Sequence, residues 1–346
     1  MKQIYKNTNK KQFPNLLFVV DEKANFSLED ISLLSNDYNL IPIHLNLIEK
    51  DYLKMFRIGV TKIIPGILKS DITITWFVDY HAVFVVFFSR LFRKKSIVIV
   101  GGHEICNMPE INYGYQRVLL RGFIARWILR NATSIVVPSY SYSEKVMDLV
   151  TLPSWVIPMC SKPDDYALDE KKTKSVVMVA NQYLNRADYI SLKGIATYNN
   201  VAEHLYEYPF YLIGRTDPEI KEMFPHLIFL GEMKHPELLK TLAKSKVYCQ
   251  LSYTESFGVA LLEAIQSGCI PVVTDKDGMK EVVQENGYKV PYGDVELTVA
   301  AVREALDSDE DRTGIARRYQ ENCSEKQRRI DFGEVISFLA QAPEES

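Results

Sequence analysis

The chain has 346 residues, of which 47% are hydrophobic and 25% charged, a balance typical of a soluble globular protein with two domains. Its five cysteines lack metal-ligand spacing and its amino terminus lacks an apolar core, so the sequence argues against a secreted disulfide-rich protein and predicts a cytoplasmic location. The longest apolar run, residues 82–88, is far shorter than the roughly 20 residues that a membrane span needs.

The formal net charge of −3 is unevenly distributed along the chain. Residues 1–163 contain 20 Lys and Arg against 13 Asp and Glu, whereas residues 164–346 contain 21 against 31. The basic clusters lie at residues 90–95 and at Arg117, Arg121, Arg126 and Arg130. They predict peripheral association with the inner face of a membrane or an anionic acceptor, with ordinary solubilising charge as the alternative. We expect no nucleic-acid partner.

In chain order, the first half alternates short apolar strands with helices, which predicts a doubly wound α/β domain over residues 1–160. The predicted strands cover residues 16–20, 40–44, 72–76, 97–100, 134–138 and 155–158. The predicted helices cover residues 27–37, 79–93, 115–130 and 140–150. No glycine-rich dinucleotide fingerprint follows the first strand, which argues against an NAD-binding protein.

Two prolines followed by acidic residues in 158–165 predict a linker, after which the alternation restarts and predicts a second α/β domain over residues 161–324. Its predicted strands cover residues 175–180, 209–213, 228–230, 247–251 and 270–274. Its predicted helices cover residues 194–206, 235–245 and 257–267, and three more close the chain at 295–307, 309–321 and 325–341.

Glu255 and Glu263 flank the most informative segment, a polar turn and helix between the strands 247–251 and 270–274. Ligands of open α/β sheets collect at the carboxyl ends of strands, and a helix N-terminus offers unpaired N–H groups to phosphate. Carboxylates accept hydrogen bonds only, so two of them near a phosphate are suited to sugar and ribose hydroxyls. The segment predicts a nucleotide-sugar site, with two solvated glutamates at a chance spacing as the alternative.

The run of Glu255, the seven residues Ser-Phe-Gly-Val-Ala-Leu-Leu and Glu263 resembles the donor-site signature of retaining glycosyltransferases of family 4. The resemblance implies the GT-B fold, with two Rossmann-like domains facing a central cleft and a C-terminal helix, 325–346, returning to the first domain. It implies that Glu255 positions the sugar hydroxyls and Glu263 the ribose. It assigns the donor diphosphate to the turn and helix start formed by Ser256, Phe257, Gly258 and Val259.

Four other residues correspond to positions of the family, of which Lys193 matches well. Lys193, in Lys193-Gly194, and Arg186 correspond to its phosphate-binding cations, although the family's Gly-Arg directly after the strand is replaced here by Asn181-Gln182. Gly214 resembles a glycine turn after the next strand. His103, in a Gly-Gly-His turn after strand 97–100, corresponds to a histidine that faces the transferred sugar.

The resemblance implies a metal-independent retaining glycosyltransferase that moves a sugar from a nucleoside diphosphate to a hydroxyl of a saccharide, a lipid or a polyprenyl-linked saccharide. No cofactor is expected, and Asp275-Lys-Asp277 is interpreted as an ordinary strand-to-helix turn despite its likeness to a metal-binding Asp-x-Asp. One alternative is a nucleotide-sugar epimerase, which needs acid and base groups that only His103 and Glu104 supply. The other is a non-catalytic nucleotide-sugar-binding protein.

Overall fold

The computed structural model describes residues 14–21, 25–45, 52–161, 168, 170–180 and 187–341. The chain divides into two compact units. The first unit is drawn from residues 1–100, 124–136 and 332–346, and the second from residues 101–123 and 137–331. The domain boundaries expected at residues 160 and 324 stay predictions.

The first sheet has six strands in the order β2-β1-β3-β4-β5-β6. These are β1 Asn15–Asp21, β2 Asn39–Leu45, β3 Ile72–Trp76, β4 Lys95–Ile99, β5 Ser134–Val137 and β6 Trp155–Val156. Strand β1 pairs in parallel with both β2 and β3, and its residues 16–20 are fully buried. Continuous burial on both faces is the reason that these strands read as unbroken apolar runs.

Helices connect these strands, as parallel pairing requires. They are α1 Asn25–Leu34, α2 Tyr52–Ile58, α3 Ile64–Lys69, α4 Tyr80–Leu91, α5 Leu119–Asn131 and α6 Tyr140–Val150. A π-helical turn, Gly59–Ile63, joins α2 to α3, and 3₁₀ turns cover His103–Ile105, Pro109–Ile111 and Tyr115–Arg117.

The second sheet has six strands in the order β12-β11-β10-β7-β8-β9. These are β7 Thr173–Val179, β8 Phe210–Ile213, β9 Ile228–Gly231, β10 Ser245–Gln250, β11 Ile270–Thr274 and β12 Tyr288–Val290. All five pairs in this sheet are parallel. Central β10 and β7 contribute Val247, Cys249 and Val176 to one buried core.

The second half of the chain supplies nine further α-helices within the described residues. They are α7 Ala187–Lys193, α8 Ile195–His204, α9 Pro218–Met223, α10 His235–Lys244, α11 Val259–Gln266, α12 Asp277–Val283, α13 Val295–Asp307, α14 Thr313–Asn322 and α15 Glu325–Gln341. None of the helices in the described part of the chain is long and apolar enough to cross a membrane.

The α/β class and its two alternating halves are confirmed. The sequence analysis did not predict strand β12 or the short helices α2, α3, α7, α9 and α12. The helices have six or seven residues and the strand has three, which is too few to show a hydrophobic period. One of these omissions bears on the site, because no helix was predicted over residues 181–193 and Lys193 lies in one of the missed helices. Lys193 is the last residue of α7, and Gly194, at φ 67°, separates α7 from α8.

Candidate functional site

The turn after β10 is held by side chains of the strand that precedes it. Gln250 ends β10, and its amide nitrogen donates to the Ser252 hydroxyl at 2.9 Å and to the Glu255 carboxylate at 3.4 Å. The hydroxyl of buried Tyr248 donates to the Gln250 amide oxygen at 2.6 Å, which fixes the orientation of that amide. The sheet thereby determines where the Glu255 carboxylate lies.

Helix α11 starts at Val259, two residues later than the sequence predicted. The reason is Gly258, whose φ of 93° is left-handed and lies outside the helix, so the turn extends through Phe257. The first intrahelical bond runs from the Leu262 N–H to the Gly258 carbonyl at 3.0 Å. The N–H groups without an intrahelical partner are therefore those of residues 258–261, and the assignment of the donor diphosphate to residues 256–259 stays a prediction.

Lys193 and Glu255 form an ion pair, with the Lys193 Nζ 2.7 Å from a Glu255 carboxylate oxygen. Their side chains are only 15% and 23% exposed. The pair forms because α7 ends against the end of β10: the Tyr253 N–H donates to the Leu192 carbonyl at 2.7 Å. A Cβ at Gly194 would lie 2.1 Å from the Leu251 carbonyl oxygen, so only glycine permits this approach.

The start of α12 supports the same turn from the opposite side. The Gly278 N–H donates to the Glu255 carbonyl at 3.1 Å. A Cβ at Gly278 would lie 2.4 Å from the Ser256 carbonyl oxygen, so the two backbones are in contact. Phe257 is 6% exposed and anchors the turn in the protein interior. The peptide groups around Glu255 are therefore fixed on both sides, as a pre-organised site requires.

Glu263 has a partner that the sequence did not predict. It lies on α11, is 7% exposed, and its carboxylate is 2.7 Å from the Nε2 of His235. His235 is the first residue of α10 and follows the loop after β9. The two residues are 28 positions apart, and only the placement of α10 beside α11 brings them together. No local pattern in the sequence indicates this pair.

The turn after β4 brings His103 into the same compact unit as Glu255. Gly102 has φ 136°, and a Cβ there would lie 3.2 Å from the Ser256 Cβ, so this turn lies against the turn after β10. Glu104, a weaker candidate from sequence, accepts hydrogen bonds from the N–H groups of Gly101 at 3.1 Å and Gly102 at 2.6 Å. Its buried carboxylate holds the turn in shape.

His103 lies between two tyrosine rings. Its ring centroid is 4.5 Å from that of Tyr113 and 4.7 Å from that of Tyr115, both edge-to-face. Burial raises the pKa of Tyr113 well above its ordinary value, and the nearby Cys106 and the Glu255 and Glu104 carboxylates raise it further. Tyr113 therefore stays protonated at neutral pH and connects the surroundings of His103 and Glu255.

A second polar network lies directly beneath the turn. Thr254 is buried, and its hydroxyl donates to Asp277 at 2.5 Å and lies 3.1 Å from the Tyr142 hydroxyl. Lys145 forms an ion pair with Asp277 at 2.8 Å. The Asp277 carboxylate thus joins α6, α12 and the turn. The sequence did not predict this network, because its members come from three separate segments.

Two other predicted donor-site residues have different outcomes. Gly214 follows β8 and has a φ of 150°. A Cβ at this position would lie 2.0 Å from the Ala180 carbonyl oxygen, so a residue with a side chain would clash there. Its N–H donates to the Gly231 carbonyl at 2.9 Å. Arg186 lies outside the described residues. Within the described ranges, no group of three or more His, Cys, Asp or Glu side chains could hold a metal ion.

Residues 219–323 match the family model of glycosyl transferases group 1. Over 136 residues the chain is 31% identical to the phosphatidyl-myo-inositol mannosyltransferase of Mycolicibacterium smegmatis, a match that covers 37% of this chain and 34% of the relative. The corresponding protein of Mycobacterium leprae is 29% identical over the same length, with 35% of it covered. The chain thus aligns with about a third of the length of the curated relatives it matches.

Solved structures match nearly the whole chain. A sucrose-phosphate synthase from Thermosynechococcus elongatus has a TM-score of 0.72 and 13% identity, covering 95% of this chain and 100% of that one. The E. coli structure described as trehalose-6-phosphate bound with UDP-2-fluoro glucose has a TM-score of 0.70 and 13% identity, covering 96% and 100%. The architecture is therefore GT-B, as the sequence predicted.

Proposed function

We propose that the protein is a retaining glycosyltransferase of family 4, with a nucleoside diphosphate sugar as donor. The observation that carries the proposal is the turn after β10, where Glu255, Lys193 and the start of α11 meet at the carboxyl end of a central strand. Open α/β sheets bind their ligands at this edge. The match of residues 219–323 to glycosyl transferases group 1 and the names of the mannosyltransferase relatives support sugar transfer.

The donor diphosphate would lie against residues 256–259 at the turn and helix start, the N–H groups of residues 258–261 and the Lys193 ammonium. These groups offer hydrogen bonds and positive charge to the leaving group, which gains negative charge as the glycosidic bond breaks. In the absence of donor, Glu255 neutralises Lys193 at 2.7 Å. Donor binding would replace this pair, so that Lys193 turns to phosphate and Glu255 accepts from sugar hydroxyls.

The remaining residues have matching roles. Glu263, oriented by His235, would accept from the ribose hydroxyls, and His103 would face the transferred sugar. No protein nucleophile is invoked: the leaving phosphate accepts the acceptor's proton on the same face of the sugar, which retains the anomeric configuration. The reaction needs no metal in this proposal, because Lys193 and the helix amides supply the positive charge.

The acceptor is a hydroxyl of a saccharide or lipid-linked molecule, and the location is cytoplasmic, peripheral on the inner face of a membrane. An epimerase is disfavoured because the Glu104 carboxylate accepts from the Gly101 and Gly102 N–H groups, so it holds the turn instead of serving as an acid or base toward a sugar. A non-catalytic binding protein is disfavoured by the buried support of Glu255, which binding alone does not require.

The decisive experiment separates donor turnover from donor binding. UDP-, GDP- and ADP-sugars are first screened by thermal shift, because a ligand of the native state raises apparent stability. With the best donor, Glu255→Ala should lower turnover, including donor hydrolysis, by at least about a hundredfold, because the sugar loses its positioning. Nucleotide affinity should be kept or increased, since Lys193 loses its competing partner.

Two further variants complete this test. Lys193→Ala should weaken nucleoside diphosphate binding by about tenfold or more, since charge-assisted bonds to phosphate are strong. Glu222→Ala, an exposed glutamate on α9, is the matched control and should change neither quantity. Full activity of Glu255→Ala, or a wild-type protein that binds no nucleotide-sugar, would show that the assignment is wrong.

A further inference from the structure

The start of α5 exposes an unusual concentration of apolar surface, which we name the α5 tip and define as residues 117–123. Leu119 is 89% exposed, Leu120 63% and Phe123 62%, and Val118 before them is 46% exposed. Positions 119 and 123 are four apart and 120 and 123 three apart, so these side chains share one helical face. Single exposed apolar residues are common on proteins, but a contiguous group of four marks an interaction surface.

The charge around the α5 tip is of one sign. From residue 111 to residue 143 the chain has four arginines, no lysine and no acidic residue. Arg117 is exposed at the edge of the tip. Arg126 and Arg130 follow Phe123 by three and seven positions, so helical spacing places them on the same face. Apolar side chains bordered by arginines are typical of segments that lie in the interface of an anionic bilayer.

We propose that the α5 tip docks on an anionic lipid bilayer, with Leu119, Leu120 and Phe123 entering the headgroup boundary. The arginines favour this partner over a neutral protein surface, because bilayer phosphates supply complementary charge at any rotation of the tip. The same helix buries Ala125, Ile128 and Leu129, each at most 1% exposed, so its packing face is already covered elsewhere. The exposed apolar face of α5 is therefore separate from the face that packs in the protein interior.

The α5 tip is physically connected to the turn that carries His103. The Arg121 guanidinium lies 4.8 Å from the centroid of the Tyr115 ring, which in turn lies 4.7 Å from the His103 ring. The Gln116 amide nitrogen donates to the Glu104 carbonyl at 2.8 Å. Gly114 is in close contact too, since a Cβ there would lie 2.0 Å from the Cys106 carbonyl oxygen. Docking the tip would hold the His103 turn near the bilayer surface.

This connection identifies the acceptor class, an inference that rests on the proposed function. A hydroxyl of a lipid-anchored molecule lies at the height of the headgroups, where a docked tip would hold the His103 turn. A soluble saccharide gains nothing from such docking. The acceptor would therefore be a lipid or lipid-anchored saccharide, taken directly from the bilayer surface.

Vesicle sedimentation of the full chain tests the docking without reference to activity. Wild-type protein should bind phosphatidylcholine vesicles containing about a third phosphatidylglycerol, and bind less to pure phosphatidylcholine or at high salt. The triple variant Leu119→Gln, Leu120→Gln, Phe123→Gln should lower the partition coefficient by about tenfold or more, since it removes the inserted surface. Nucleoside diphosphate affinity, measured by calorimetry, should be unchanged and shows that the variant is folded.

A matched control changes three exposed apolar residues elsewhere in the same unit: Tyr206→Gln, Met223→Gln and Leu297→Gln, at wild-type exposures of 85%, 60% and 51%. It should bind vesicles like the wild type. Wild-type protein that stays in the supernatant, or a triple variant that sediments normally, would overturn the docking. If the wild type is a dimer and the triple variant a monomer, the α5 tip binds a second copy of the chain and the bilayer proposal is wrong. Nucleotide binding without vesicle binding would leave the proposed function standing and refute only this inference.

Discussion

The turns after β10 and β4 each follow a buried strand, contain glycine and carry a glutamate, yet the two carboxylates have different surroundings. The Glu255 carboxylate forms an ion pair with Lys193 at 2.7 Å and accepts a hydrogen bond from the Gln250 side chain at 3.4 Å. The Glu104 carboxylate accepts hydrogen bonds from the backbone N–H groups of its own turn. A carboxylate held by side chains of other elements can exchange those partners for a ligand, whereas one that accepts from the N–H groups of its own turn is part of the fold.

The comparison also explains why an acidic residue near a strand end is weak evidence of function. Both glutamates are placed similarly in the sequence, since Glu255 lies five residues beyond the end of β10 and Glu104 five residues beyond the end of β4. Their difference lies in long-range partners: Lys193 is 62 positions from Glu255, whereas Gly102 is two from Glu104. Disturbing the partners of each turn should therefore have different consequences. Two substitutions test this, and a third tests the Glu263 carboxylate on the helix that follows the turn after β10.

The largest effect is expected at Gly194, which allows α7 to approach the turn after β10. Gly194→Ala would place a Cβ 2.1 Å from the Leu251 carbonyl oxygen at a residue with φ 67°. Backbone must move, and we expect a loss of about 3 kcal/mol or more in the free energy of unfolding. Because α7 carries Lys193, nucleotide affinity should fall as well. Urea unfolding and calorimetry measure the two effects.

The control for this change is Gly314→Ala. Gly314 lies in α14, has no positive φ, and a Cβ there would meet nothing within 4 Å. The substitution should be neutral or stabilise the protein by up to about 1 kcal/mol, because alanine favours the helix. A Gly194→Ala variant as stable as Gly314→Ala would contradict the close approach.

The second effect concerns the turn after β4. Glu104→Ala leaves the Gly101 and Gly102 N–H groups without their acceptor, and we expect a loss of about 2–3 kcal/mol in the free energy of unfolding. Nucleotide affinity should change little, since Glu104 has no proposed role toward the donor. Thermal and urea unfolding measure the stability loss, beside calorimetry with the donor nucleotide.

Glu110→Ala is the control for Glu104. Glu110 is exposed, and its carboxylate accepts from the Tyr253 hydroxyl, which lowers the Glu110 pKa and raises that of Tyr253 to about 12. An exposed interaction of this kind contributes little to stability, so the loss in the free energy of unfolding should be much smaller than that of Glu104→Ala. Equal losses in the free energy of unfolding for Glu104→Ala and Glu110→Ala would contradict the structural role of Glu104 in the turn after β4.

Sequence reasoning reached the fold because the strands are buried on both faces and separated by regular helices. Residues 72–76 and 270–274 were predicted with their observed bounds, as were the helices 140–150, 295–307 and 325–341. The start of α11 was misplaced by two residues, since the left-handed φ of Gly258 depends on packing between Glu255 and α12. Local propensity carries no information on that packing.

The site was only partly accessible from sequence, for a related reason. Glu255, Glu263 and Lys193 belong to local patterns, and the structure brings two of them into an ion pair. Gln250, His235, Thr254 and Lys145 belong to none, and the local pattern around Asp277 indicated only a strand-to-helix turn. Their positions are set by which helices and strands lie side by side, and a single sequence does not record this.

The smallest effect is expected at His235, whose Nε2 lies 2.7 Å from the Glu263 carboxylate. His235→Ala removes one hydrogen bond that orients a 7%-exposed carboxylate, and such a bond contributes about 1 kcal/mol. If Glu263 accepts from the ribose, nucleoside diphosphate affinity should fall about two- to tenfold, with little loss for the 2′-deoxynucleotide. His235→Gln, which keeps a donor, should recover part of the loss. Equal weakening toward both nucleotides would indicate a merely structural role. Unchanged affinity for both nucleotides would show that Glu263 does not bind the ribose.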